Sequence, residues 1–158
     1  MTDLHLNLPD TAATRRLGEA LAAGAEAGRV LHLSGDLGSG KTTLVRGLLR
    51  ALGHAGRVKS PSYALVEPYS LSSLNFYHFD FYRFKDATEW LSSGFQEYFD
   101  SGAVCVVEWP ERAGPLLPPA DLHLRLEFAG EARSATLRAQ SAAGESWLSQ
   151  ARSRYSSR

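Results

Sequence analysis

The chain has 158 residues, of which 44% are hydrophobic, and its 17 Lys and Arg balance 17 Asp and Glu. This length and apolar content predict a single domain spanning 1–158, with enough apolar side chain for one substantial core. A formal net charge of zero excludes a generally basic surface for nucleic acid or an anionic membrane, so we expect any role on RNA to need a partner.

The amino-terminal residues lack the basic start and apolar stretch of a secretory signal, and no segment reaches the roughly 20 apolar residues that span a bilayer. The single cysteine, Cys105, lies in an apolar run and is expected to be a small buried hydrophobe. We therefore expect a reducing, cytoplasmic location and no membrane partner.

The first elements follow the order helix, strand, glycine loop, helix. Apolar residues at helical spacing predict an amphipathic helix over 10–28, and a short apolar run predicts a buried strand over 30–33. A second helix is predicted over 43–52, after the glycine-rich turn, with Gly53 at its end.

Aromatic and β-branched residues predict two strands, over 60–69 and 75–82, joined as a hairpin. A helix is predicted over 88–99, with an apolar side formed by Leu91, Phe95 and Phe99. The strongly apolar stretch 103–109 predicts another buried strand.

Strict alternation over 122–128 predicts a strand with one exposed face, and 135–139 is expected to pair with it. The polar tail from about 141 is expected to be frayed and partly disordered. Together these elements predict an α/β fold: a P-loop NTPase-like three-layer sandwich with a central mixed, largely parallel sheet and an antiparallel hairpin insertion.

The segment GDLGSGKT, residues 35–42, fits the pattern of a phosphate-binding loop, because its glycines allow main-chain amides to point at phosphate oxygens. The lysine provides a cation for the β and γ phosphates, and the following threonine hydroxyl suits Mg²⁺. The loop therefore predicts ATP or ADP with Mg²⁺ as cofactors. The predicted binding residues here are Asp36, Leu37, Gly38, Ser39, Gly40, Lys41, Thr42 and Thr43.

Such a loop needs an acidic partner for the metal, typically at the end of a hydrophobic strand. Glu108 has the more hydrophobic context and Asp80 follows an aromatic stretch, so both are candidates for metal binding and catalysis. Either residue read alone also suits an ordinary strand-end carboxylate that faces water.

Two further features each have a purely structural and a functional interpretation. Residues 59–63 suit either a loop that senses the γ phosphate through Ser60 or Ser62, or a proline turn entering a strand. Strand alternation places Trp109 on the face opposite to Glu108, where it either packs or contacts nucleotide or a partner. The guanine-recognition pattern Asn-Lys-x-Asp is absent from the sequence, which favours adenine.

Four segments, GDLGSGKTT, VKSPSYALVEPY, YHFDFYR and VVEWPERAGPLLP, resemble the TsaE (YjeE) family of tRNA threonylcarbamoyladenosine biosynthesis proteins, in the same order. That resemblance runs from about residue 8 to 128. It implies a small ATPase that assists the TsaD and TsaB proteins, and touches tRNA indirectly through that complex, when threonylcarbamoyl is attached beside the anticodon of tRNAs reading ANN codons.

The resemblance also implies roles for particular residues. Thr42, Glu108 and Asp80 would hold or support the metal, and Lys41 would act with both acids in catalysis. Ser60 and Ser62 would take the switch role of a serine-proline-threonine motif, with serine in place of its threonine. The nucleotide contacts outside the glycine loop would come from Thr11 or Thr14, from Ser60, from Trp109 and from Arg133.

Two rival functions use the same loop. A small-molecule kinase would need an acceptor pocket and often a lid, and no basic lid-like insertion is present in the sequence. In a nucleotide-gated binding module, the binding of ATP alone would control association with a partner, and hydrolysis would be incidental. The sequence also places no arginine firmly as a finger for hydrolysis; Arg83 is a candidate, although it reads equally as a surface residue. We therefore expect an ATPase that is weak without its partners.

Overall fold

The structure is a computed structural model that describes residues 3–157, so residues 1, 2 and 158 of the predicted domain lie outside the described part. Short 3₁₀ turns occupy Ala22–Gly24 and Pro110–Ala113. The strands and α-helices of the described part follow one another as β1 (Asp3–Leu8), α1 (Thr11–Leu21), β2 (Val30–Ser34), α2 (Lys41–Ala51), β3 (Val66–Ser70), β4 (Asn75–Asp80), α3 (Thr88–Ser93), α4 (Gln96–Asp100), β5 (Val104–Glu108), β6 (Leu122–Ala129), β7 (Ala132–Ala139) and α5 (Ala142–Ser156).

All seven strands form one sheet in the order β1-β7-β6-β2-β5-β4-β3. The four central strands, β6, β2, β5 and β4, run parallel to one another. β7 is antiparallel to both β1 and β6, and β3 is antiparallel to β4. The α/β class, the mixed sheet with a parallel centre and the antiparallel hairpin are therefore confirmed.

Both faces of the central strand β5 are covered, which explains why residues 104–107 are all apolar. Val104 and Val106 belong to the larger core, where the sheet packs against α1, α2 and α5. Cys105 and Val107 belong to a smaller core on the other face, which includes aromatic residues of α3 and α4. Because both faces are covered, alternation disappears. Burial raises the pKa of the Cys105 thiol to about 12, which agrees with its expected role as a buried hydrophobe.

Two glycines bring the helix that follows the loop unusually close to α1. A Cβ on Gly18 of α1 would lie 2.0 Å from the carbonyl oxygen of Leu44, and one on Gly47 of α2 would lie 2.3 Å from that of Arg15. Any larger residue at these positions would force the helices apart. The start of α1, capped by the Asp10 side chain, is thereby fixed relative to the start of α2.

The secondary structure predicted from the sequence differs from the structure near both ends of the chain. β1 was not predicted, although its side chains alternate between inward and outward positions. The prediction of a frayed tail is wrong, because α5 is a 15-residue helix capped by Ser141. Its polar composition hides one apolar stripe: Trp147 is fully buried and donates its indole N–H to the Leu21 carbonyl at 2.9 Å.

The predicted helix over 88–99 is two short helices instead. Gly94, with φ of 75°, ends α3 and α4 begins two residues later. The break rotates the apolar side, so Leu91 is 63% exposed and Trp90 is buried in its place. Phe95 and Phe99 do pack against the smaller core.

If α5 is an integral part of the core, Trp147→Ala is expected to lower the free energy of unfolding by about 3–5 kcal/mol, the usual cost of emptying a large buried aromatic site. Urea denaturation followed by circular dichroism measures this loss. Ser153→Ala changes an exposed position of the same helix and is expected to shift it by less than about 0.5 kcal/mol. Equal, small effects of both substitutions would contradict the assignment.

Candidate functional site

The glycine-rich loop lies between the carboxyl end of β2 and the first turn of α2, which places it at the edge of the sheet where the parallel strands end. Gly38 and Gly40 have φ of 81° and 109°, which a side chain would disfavour. Gly40 is the residue immediately before α2, so the unpaired amides of that helix point into the loop. The positive φ values of Gly38 and Gly40 agree with the loop conformation that the sequence predicts from its glycines, and phosphate binding stays a prediction.

Lys41 turns its ammonium group back toward the loop. Nζ donates to the carbonyl oxygens of Gly35 and, at 3.4 Å, Asp36, and it lies 4.5 Å from the centre of the Trp109 ring. Burial lowers the pKa of Lys41, and the negative charges of Glu108 and Asp80 oppose that shift. The side chain is 6% exposed, so its charge is held in a poorly solvated position.

Asp80 and Glu108 end two adjacent parallel strands, β4 and β5, and are directly paired in register. They are 5% and 4% exposed. Burial is the largest cause that raises the pKa of Asp80, the Glu108 charge adds to it, and the N–H of Tyr82, donated to Oδ1 at 2.9 Å, opposes it. Glu108 accepts a 2.6 Å hydrogen bond from the imidazole of His78. The two acids that the sequence offered as alternatives therefore lie side by side.

The loop at 60–62 reaches the same carboxylates. Ser60 and Ser62 share a hydrogen bond of 2.8 Å between their hydroxyls, and Ser62 lies 3.5 Å from Asp80 Oδ2. The predicted switch segment thus contacts one of the acids through Ser62. Ser60, the other predicted switch residue, contacts Asp80 only through Ser62.

These groups line one cavity of about 290 Å³, which we call the phosphate-side cavity. It brings together residues from the glycine loop, the 60–62 loop and the ends of β4 and β5. Its lining includes Leu37, Gly38, Gly40, Lys41, Thr42, Thr43, Ser60, Ser62, Asp80, Glu108 and Trp109.

Trp109 lies on the same side as Glu108, so the prediction that it faces the opposite side is wrong. Strand alternation ends at Glu108, and Trp109 has φ of 55°, a left-handed conformation that redirects the next side chain. Its ring contacts that of Tyr82 in a tilted arrangement, with centroids 4.9 Å apart and an interplanar angle of 56°. Tyr82 was not predicted to lie at the site, because nothing in the sequence distinguishes it from the aromatic residues around it.

A second cavity of about 410 Å³, the nucleoside-side cavity, lies on the other side of the loop. It shares Gly38, Gly40 and Thr43 with the first. Its remaining walls come from the end of β1, the start of α1, the glycine loop itself, and the β6–β7 turn with the beginning of β7. Its lining includes Thr11, Thr14, Ser39, Glu131 and Arg133.

Several contacts hold Arg133 at this cavity, including hydrogen bonds from Nη1 to the carbonyls of Glu131 at 3.1 Å and Ala132 at 2.9 Å. Its guanidinium carbon lies 4.4 Å from the centre of the Phe128 ring, and Nη2 donates to the Gly38 carbonyl at 3.4 Å. Glu131, which stands beside it in the lining, was missed because no motif marks a carboxylate in a β-turn. Among the predicted binding residues Asp36 alone lines neither cavity: its side chain is exposed, and its carbonyl accepts from Lys41 and from the Ser39 amide at 3.1 Å.

The donor set of the phosphate-side cavity fits Mg²⁺ better than a transition metal. Asp80, Glu108 and Thr42 offer hard oxygen atoms, and Mg²⁺ is usually held by one or two carboxylates plus substrate phosphates. Within residues 3–157, no group of three or more His, Cys, Asp or Glu is arranged to hold a metal by itself. The oxygens of Thr42, Asp80 and Glu108 are those that could hold Mg²⁺, together with waters or the phosphates of a ligand.

Comparison with known proteins gives the family directly. Residues 8–136 match the model of the family described as "Threonylcarbamoyl adenosine biosynthesis protein TsaE". The chain belongs to the TsaE family. It is therefore a member of a family involved in tRNA threonylcarbamoyladenosine biosynthesis, and the resemblance seen in the sequence motifs is confirmed.

Individual relatives agree with this membership. The TsaE protein of Haemophilus influenzae is 38% identical over 154 residues, covering 94% of this chain and 98% of that protein. The TsaE protein of Bacillus subtilis is 39% identical over 118 residues, covering 75% of this chain and 73% of that protein. The crystal structure of Bacillus subtilis YdiB superposes with a TM-score of 0.84 at 30% identity, covering 96% and 95% of the two chains.

Across residues 3–157, no helix combines the length and the apolar character needed to cross a bilayer.

In protein free of metal and nucleotide, Asp80→Asn is expected to raise the free energy of unfolding at neutral pH. The pKa of Asp80 is raised in the folded state, so its stabilising contribution is complete below its unfolded value of about 3.9 and is lost as pH rises through the folded value. Asparagine removes that charge and keeps an oxygen for the Tyr82 N–H. Urea denaturation across the acidic to neutral range should show a gap between variant and parent that widens with pH.

Asp86→Asn is the matched control. Asp86 is exposed, and hydrogen bonds from Thr88 lower its pKa, so its substitution is expected to reduce stability at neutral pH. A gain for Asp80→Asn that is absent, or that is the same at every pH, would contradict the description of Asp80 as a destabilising buried carboxylate.

Proposed function

We propose that this chain is a Mg²⁺-dependent ATPase that works with TsaD and TsaB proteins in threonylcarbamoyl modification of the adenosine beside the anticodon of tRNAs reading ANN codons. The observation that carries the proposal is the convergence of the loop amides, one buried ammonium group and two buried carboxylates on a single cavity. Membership of the TsaE family supports the modification pathway. Contact with tRNA would be indirect, since the chain has no net positive charge.

Binding would use both cavities. The amides between Gly38 and Thr43 and the Lys41 ammonium would hold the β and γ phosphates, and Lys41 would exchange its present loop carbonyls for phosphate oxygens. Thr11, Thr14 and Arg133 would contact the nucleoside across the loop. The shared residues Gly38 and Gly40 allow one ligand to occupy both sides.

Hydrolysis would depend on charge and position. Thr42, Asp80 and Glu108 would hold Mg²⁺, which supplies neutralisation of the charge on the phosphate oxygens when bound. Lys41 would stabilise the same charge from the loop, and the acids would orient the attacking water. Through the contact between Ser62 and Asp80, the conformation of the 60–62 loop would depend on what is bound in this cavity.

The cavity as it stands lacks one element of a fast hydrolase. No arginine is among the described residues that line the phosphate-side cavity. Arg83 lies 4.0 Å above the exposed Tyr63 ring, and Arg112 donates to the Tyr82 carbonyl at 3.0 Å. Because an arginine finger is worth about 10³–10⁵ in rate, we propose that the free chain is slow and that partner binding completes the catalytic group.

ATP turnover of the free chain and of the chain mixed with TsaB and TsaD tests the proposal. We expect slow release of phosphate from the free chain and a clear rise with both partners, since they would supply the missing stabilisation. Released phosphate measured against time gives the rates. Equal and rapid rates in both mixtures would contradict the proposed dependence on partners.

The missing arginine also favours a second function, a binding module in which ATP occupancy alone controls association. Glu108→Ala separates the two, because it removes a metal ligand and leaves the loop in place. An ATPase should then bind partners yet fail to support repeated rounds of tRNA modification, whereas a binding module should support them normally. Multiple-turnover modification assays make the distinction, with Glu97→Ala, an exposed acid of α4, as the matched control.

A further inference from the structure

His78 is a buried polar side chain to which the sequence motifs assign no role, although it lies within the segment YHFDFYR. It lies in β4 two residues before Asp80, is fully buried, and does not line the phosphate-side cavity. Phe76, two positions earlier on the same face, belongs to the larger apolar core. An imidazole has thus replaced the hydrophobic residue that this position would favour.

The buried surroundings of this imidazole make it unfavourable for the stability of the folded state. Nε2 bonds to Glu108, but Nδ1 is buried without a hydrogen-bond partner among the described residues. A buried polar atom that loses its water without a replacement destabilises the folded state, and each such atom in a native structure calls for an explanation. Packing alone would be served better by a leucine or a phenylalanine.

The single bond that His78 makes is directed at a residue of the candidate site. Nε2 lies 2.6 Å from Oε2 of Glu108, and a carboxylate oxygen accepts, so Nε2 is the donor. Glu108 faces the cavity as well, beside Lys41 and Asp80. His78, which is not part of the cavity lining, therefore reaches the cavity only through Glu108.

We propose that His78 is a positioning residue, which fixes one carboxylate oxygen of Glu108 so that the other is presented to the metal in the phosphate-side cavity. The inference rests on the proposed function, because it assigns Glu108 to Mg²⁺. Outer hydrogen bonds to a metal ligand restrict its rotation, and their loss typically weakens metal affinity by about 10–100-fold. The bond also crosses from β4 to β5, and so ties the orientation of Glu108 to the strand that carries Asp80.

Two amide substitutions of His78 separate positioning from simple packing. In His78→Gln the side-chain amide nitrogen can occupy the place of Nε2 and still donate to Glu108, whereas in His78→Asn the amide is too short. Mn²⁺ affinity of the protein–ADP complex, measured by electron paramagnetic resonance, is expected to fall about 10–100-fold in His78→Asn and to stay near the parent value in His78→Gln.

His32→Asn is the matched control, because it places the same amide at a partly buried histidine of β2, on the other side of β5, where it pairs with Val107 rather than Glu108. It is expected to leave Mn²⁺ affinity unchanged. Parent-like affinity in His78→Asn, or an equal loss in both His78 variants, would overturn the positioning role. Absence of Mn²⁺ and ADP binding in the unsubstituted protein would overturn the proposed function itself, which keeps the two failures distinct.

Discussion

Burial of one ammonium group and two carboxylates at the same edge of the sheet is the constraint on which the candidate site depends. Lys41, Asp80 and Glu108 are each about one-twentieth exposed. Removing such charges from water costs several kcal/mol per ion before their mutual attraction is counted. The pKa of Lys41 is lowered and that of Asp80 is raised, so at both residues burial outweighs the attraction between opposite charges. A polyphosphate with a divalent cation is the kind of ligand that would supply the missing compensation.

The fold serves this edge by fixing three backbones around it. The parallel register of β4 and β5 sets the two carboxylates beside each other, and β2 delivers the glycine loop next to them. Gly18 and Gly47 hold α1 against α2, which places Thr11 and Thr14 across the loop from Lys41. In the proposed function, phosphate and nucleoside would therefore bind on opposite sides of a single turn.

Much of this arrangement is visible in the sequence, and the exceptions have physical causes. The glycine spacing, the apolar strand before it and the helix after it predict the loop, because each depends on local residue types. The choice between Asp80 and Glu108 could not be made locally, since strand register is a long-range property, and the structure pairs both. The orientation of Trp109 was predicted wrongly because the alternation rule for strands does not foresee a left-handed residue. The helix after Ser141 was not predicted because its composition is polar. His78 reads as one more residue of an aromatic strand until the partner strand is placed beside it.

Family membership and cavity geometry support the proposal from independent directions. The family match covers residues 8–136 and so includes both sides of the loop, the two acids and Arg133. The cavity geometry suggests which groups would meet a nucleotide, and the arginines lying outside its lining suggest why partners matter. In the proposed function, slow hydrolysis by the free chain and a role inside a larger assembly would both follow from one incomplete cluster of charges.

Calorimetric titration of the purified chain with Mg²⁺ and ATP, in parallel with Lys41→Ala, tests the central claim most directly. The account predicts saturable binding at one site in the parent protein and its loss in the variant, because the only cation in the lining of the phosphate-side cavity, among the residues that the structure describes, would be gone. No heat of binding in the parent, even with TsaB and TsaD present, or the same affinity in both proteins, would contradict it.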